Sequence, residues 1–111
     1  MNILRQYPES MSDRDAYRLT KAVNVNKMQS AVGSVITPQK WVEFEDTDTR
    51  TGDLQKVLVI EADNELFATV SRTFIEAFDG MVEYFGSDVG EIKVIGGKSK
   101  AGREYITCEI V

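Results

Sequence analysis

Residues 41–70 read WVEFEDTDTRTGDLQKVLVIEADNELFATV, three apolar runs parted by two polar interruptions. In the first run Val42 and Phe44 alternate with Trp41, Glu43 and Glu45. That is the period of a strand with one side turned inward, so Val42 and Phe44 are expected inside and Trp41 outside. Asp46-Thr47-Asp48-Thr49-Arg50-Thr51-Gly52-Asp53 is too polar to be anything but a turn or loop. Leu54 to Glu61 form the second strand, and its Val57-Leu58-Val59-Ile60 centre is apolar at consecutive positions, which demands cover on both faces. Ala62-Asp63-Asn64-Glu65 has the composition of a tight turn, after which Leu66 to Val70 return as the third strand of a meander.

Downstream the period lengthens. Ser71 or Thr73 supplies an N-cap oxygen, and Phe74, Ile75, Ala77, Phe78, Met81, Val82 and Phe85 recur at helical spacing opposite Glu76, Asp79 and Glu83. Phe67, Phe74, Phe78 and Phe85 are the expected core aromatics, and Gly86 is a natural helix stop. Glu91 to Ile95 and Glu104 to Val111 read as a fourth and fifth strand joined by a flexible loop, Gly96 to Arg103. The order strand, strand, strand, helix, strand, strand is that of the OB-fold, an α+β, mainly β, five-stranded Greek-key barrel whose middle strands and hairpin loops bind oligonucleotides; five strands and a helix also fit other small α+β arrangements.

Upstream, Ser12 followed by Asp13-Arg14-Asp15 has the form of an N-cap with an acid three residues on. It predicts a short helix over 13–22, with Ala16, Tyr17, Leu19 and Ala22 on its apolar face. Residues 23–33 mix asparagines and β-branched residues with helix formers and stay unassigned. Residues 1–40 are expected as a helical extension on the 41–111 barrel, within one folded unit. They would serve as a lid or an oligomer contact, and deleting residues 1–32 should leave the strand pattern intact.

The whole chain, 111 residues with 42% apolar and 28% charged, has the size and balance of one domain with a core. There is no apolar run near the roughly 20 residues that span a bilayer and no apolar leader core, so the expected location is the cytoplasm, away from membranes. Histidine is absent and Cys108 is the sole cysteine. No zinc cluster, histidine base, cysteine–histidine pair or disulfide scaffold can be built from that set, and no pair among the 18 acidic residues is marked out for hydrolysis. An enzyme is therefore not expected, nor a metal or other cofactor. Gly96-Gly97-Lys98-Ser99 lacks the four-residue spacer and following helix of a phosphate loop, and Asp46, Asp48 and Asp53 lack the register of a calcium loop.

The net charge of −5 is unevenly spread. Residues 1–40 hold six basic and three acidic side chains, residues 41–91 three and thirteen, residues 92–111 four and two. A chain so segregated can meet a polyanion at one place while its acidic remainder discourages non-specific binding. The basic place is the last hairpin, where Lys98, Lys100 and Arg103 stand among glycines with no intervening acid. Tyr105 is turned outward beside them if Ile106, Cys108 and Ile110 face inward. Cations for phosphates and an aromatic for bases are what sequence-tolerant single-strand binders combine, and an outward Trp41 would add a second platform. Lys93 on the fourth strand, Lys56 on the second and Arg50 in the first hairpin complete the candidate set.

Leu66 to Phe74, the acidic helix after it, and Val94-Ile95-Gly96-Gly97-Lys98-Ser99-Lys100-Ala101-Gly102-Arg103-Glu104-Tyr105-Ile106 resemble phage-encoded single-stranded DNA-binding proteins of Gram-positive bacteria. More distantly they resemble the replication single-strand binding protein of small protein-primed Bacillus phages. The likeness covers about residues 54 to 111. It implies an OB-type fold, coating of single strands in replication or recombination inside the bacterial host, no catalysis, and Lys98, Lys100 and Arg103 on the DNA backbone. Implied partners are single-stranded DNA, further copies of the chain, and phage or host replication proteins. The acidic Asp46 to Asp53 loop departs from this pattern because it should repel phosphate. A rival reading, motivated by the acidic middle, is a phage inhibitor that mimics nucleic acid against a host or defence protein.

Overall fold

The computed structural model describes residues 1–111. The chain runs β1 (Asn2–Tyr7), α1 (Asp13–Thr20), β2 (Asn26–Lys27), a 3-10 turn (Met28–Ala31), β3 (Val35–Ile36), β4 (Lys40–Thr47), β5 (Leu54–Ala62), β6 (Glu65–Thr69), α2 (Arg72–Phe85), β7 (Ile92–Lys98) and β8 (Glu104–Ile110). The meander forms as its composition dictates. Asp63 and Asn64 both adopt positive φ (52° and 63°), the two-residue turn whose twist matches antiparallel strands. Ser12 Oγ accepts from the Asp15 amide at 3.2 Å to start α1, and Ser71 Oγ accepts from the Phe74 amide at 3.3 Å to start α2. Gly86, at φ 87°, ends α2.

The strands form two open sheets in an α+β, mostly β, arrangement. One has the order β1-β4-β5-β6-β2, antiparallel except where β2 runs parallel to β6; the other has the order β3-β7-β8. Placing β5 at the centre of the larger sheet explains its consecutive apolar residues: Leu58 and Ile60 face one side, Val57 and Val59 the other. α1 covers one face, with Met11 and Leu19 against Val42, Phe44, Val59 and Leu66. α2 and the second sheet cover the opposite face, where Trp41, Leu58, Ile60 and Phe67 meet Phe74, Phe78, Met81, Val94 and Ile106. No helix is long and apolar enough to cross a membrane.

Five expectations need correction. Tyr17, expected on the apolar face of α1, is instead 70% exposed. The barrel is not closed: β1 pairs along the outer edge of β4, where a closing strand would have to bind, and β3 pairs with the free edge of β7. Residues 1–40 are accordingly no extension, since β1, β2 and β3 are sheet strands and Leu19, Met28, Ala31 and Ile36 are buried. Trp41 and Glu43 do not face outward; both lie beneath α2, fully buried, because the second face of β4 is covered as well as the first. Phe85 is 53% exposed in the last turn of α2, where it contacts Tyr84 edge-on.

Candidate nucleic-acid interface

The hairpin of β7 and β8 is more regular than its glycines suggest. Strand pairing extends to Lys98 opposite Glu104, so Gly96 and Gly97 are strand residues and the connecting loop shrinks to Ser99 through Arg103. Ser99 ties that loop. Its amide donates to the Arg103 carbonyl at 2.8 Å, its carbonyl accepts from the Gly102 amide at 2.9 Å, and its hydroxyl accepts from the Arg103 amide at 3.2 Å. Gly102, at φ 80°, makes the reversal.

Gly96 and Gly97 are small for a different reason, close approach. A Cβ on Gly97 would lie 2.7 Å from Cζ and Oη of Tyr105, so the phenol ring lies across the bare backbone of the opposite strand. A Cβ on Gly96 would come within 3.1 Å of Val32 Cγ1. With Ile106 and Cys108 buried, alternation turns Tyr105 outward as expected, and it remains 39% exposed. Burial pushes the Cys108 thiol up to about 12, which leaves it a small apolar core residue.

These strands open onto a groove of about 840 Å³. Gly96, Gly97 and Tyr105 line it with Lys98 and Glu104, Gln29 and Val32 close one side, and Ser71 and Thr73 at the start of α2 close another. Lys98, Lys100 and Arg103 are exposed, and none has a carboxylate within ion-pair distance. Lys93 is also exposed and unpaired, on the same side of β7 as Gly97 and about 13 Å from it along the strand.

The other sequence candidates are not brought here. Lys56, on β5 of the other sheet and 46% exposed, has its Nζ 3.5 Å from Oε1 of buried Glu43. Arg50, 87% exposed, sits in the β4–β5 hairpin of the other sheet with Asp48 at 3.8 Å. Trp41 is fully buried; its Nε1 donates to the Ser87 carbonyl at 2.9 Å and its ring meets Phe78 edge-on at 5.2 Å, so it offers no face to a base.

Sequence reasoning missed two features. Arg72, exposed and unpaired, follows Ser71 directly at the groove, but Ser71-Arg72-Thr73 reads in sequence only as a helix cap. The second is a charge cluster around buried Glu43 that no local pattern announces. Glu43 lies under α2 with Asp79; Arg5 Nη2 reaches Asp79 at 2.7 Å and Glu43 at 3.5 Å, and Lys56 approaches from β5. Burial first, and the facing Asp79 carboxyl second, push Glu43 up to about 7 against the opposing pull of Arg5 and Lys56. Only 2% of Glu43 is exposed, so its carboxyl is closed to a substrate and acts within the fold. No family model, curated protein or solved structure matches the chain.

Proposed function

We propose that the chain binds single-stranded DNA with little sequence preference and without catalysis, gripping it along the β7–β8 hairpin. One observation carries this reading. Three cations with no internal partner, Lys98 at the end of β7 and Lys100 and Arg103 in the tied loop, stand beside an exposed tyrosine and a groove of about 840 Å³. Phosphates would meet Lys98, Lys100 and Arg103, with Lys93 and Arg72 flanking, while bases stack on Tyr105. The acidic surface elsewhere limits non-specific adhesion. The family resemblance of residues 54–111 supports a place in phage replication or recombination.

Anisotropy titrations of labelled oligothymidine over a range of salt test the proposal. Replacing Lys98, Lys100 and Arg103 together by Ala should lower the slope of log affinity against log salt by roughly two, from about 0.7 per single-strand phosphate contact. Tyr105→Ala should lose about 1 to 3 kcal/mol of binding with the slope unchanged. Absence of binding by the folded parent protein would refute the reading.

A further inference from the structure

Helix α1 lies on the sheet face opposite α2 and turns Leu19 and Ala16 inward. At 100° per residue, its outward arc collects Tyr17, Lys21 and Arg14. Tyr17 is 70% exposed, and Arg14 and Lys21 are exposed with no carboxylate in ion-pair range. Other cations of this region are engaged. Arg18 is paired to Glu61 and Asp15, Lys40 to Asp15 at 2.6 Å, and Arg5 to Asp79 and Glu43. The Lys40 hydrogen bond holds Asp15 below the usual carboxylate range, which leaves Asp13 as the one unengaged acid of the helix.

The chain that follows α1 leads toward the groove along the β2 edge, where Glu61 and Glu65 stand beside Asn26. β2 is an outer edge of the larger sheet, and Lys27 on it is exposed and unpaired. From there the chain passes directly to Gln29 and Val32, which line the groove beside Tyr105. Taking the single-strand reading above as its premise, we infer that the outward face of α1 is a second contact for the same DNA strand. Tyr17 offers a stacking face, Arg14 and Lys21 meet phosphates, and Lys27 marks the path around the sheet edge. The chemistry selects a polyanion over an apolar partner. Leu19 and Ala16 point into the core, while unpaired cations flank Tyr17 three residues before and four after.

The test uses the intact protein with oligothymidines of two lengths, because one site takes roughly 4 to 16 nucleotides: about 6, and about 30. The parent should bind the longer strand more tightly. Arg14→Ala with Lys21→Ala should reduce the salt slope for the long strand by about 1.4, two contacts of about 0.7 each, and leave the short strand unaffected. Tyr17→Ala should weaken the long strand at least about fivefold, the low end of a stacked base. A Tyr17→Trp variant should have its added emission quenched by the long strand only. If the α1 variants bind both lengths as the parent does while the hairpin variant loses both, the second contact is wrong and the hairpin reading stands. If the parent binds neither length, the single-strand reading fails and takes this inference with it.

Discussion

Glu43 is held where an acid is costly, under α2 and against the Asp79 carboxyl, so its proton affinity in the folded state exceeds its ordinary value of 4.5 and reaches about 7. A carboxyl raised on folding binds more proton in the native than in the unfolded chain across that window. Stability should therefore fall as pH rises from 4.5 to 7, and be flat in this respect below it. Glu43→Gln should remove that slope and raise the melting temperature near pH 8 relative to the parent, which thermal unfolding between about pH 5 and 8 would show. Retention of the slope would place its origin elsewhere. Trp41, two residues away on the same face of β4, makes a second prediction. Its indole is buried and hydrogen-bonded to Ser87, so its emission should be that of an apolar site and should not respond to oligothymidine. Trp41→Ala should cost about 3 to 5 kcal/mol in denaturant unfolding, as large core truncations do.

At the scale of the element, the β7–β8 hairpin depends on missing side chains. Gly97→Ala places a methyl 2.7 Å from the Tyr105 ring, and the ring must leave the strand it covers. We expect about 1 to 3 kcal/mol of destabilisation from the overpacking, and single-strand binding reduced about as much as by Tyr105→Ala. Unaltered binding by a folded Gly97→Ala protein would separate the ring's position from recognition. Gly96-Gly97 thus has a meaning that composition misreads. In sequence two glycines before a lysine look like a loop, whereas here they continue the ladder because Tyr105 and Val32 occupy the space above them. The N-caps of α1 and α2 were legible because capping is a contact between residues three apart, Ser12 with Asp15 and Ser71 with Phe74.

For the whole molecule, the sheet covered on both faces makes the N-terminal third structural. β1 fills the outer edge of β4, α1 covers one face, and Met28 and Ala31 belong to the core on the other. Removing residues 1–32 exposes the β4 edge and the Val42, Phe44 and Val59 surface together. The truncated chain should therefore be unfolded or aggregated by circular dichroism and size-exclusion chromatography. A folded truncation with the strand signal intact would contradict this integration. The same arrangement sorts the cations: Arg5, Arg18, Lys40 and Lys56 are drawn into pairs that bind elements to each other, and the hairpin cations are left free.

The meander, both helices with their caps, the covered central strand and an outward Tyr105 were legible in the order of residues, because each rests on periodicity or on contacts a few positions apart. The open sheets, the burial of Trp41 and Glu43, and the pairing of Lys56 with Glu43 were decided only in three dimensions. Alternation assigns side chains to two faces of a strand but does not say whether the second face is covered; here α2 and the second sheet cover it. Charge pairing likewise depends on distant partners. Arg5 and Asp79 are 74 positions apart, and no local pattern could announce that they meet.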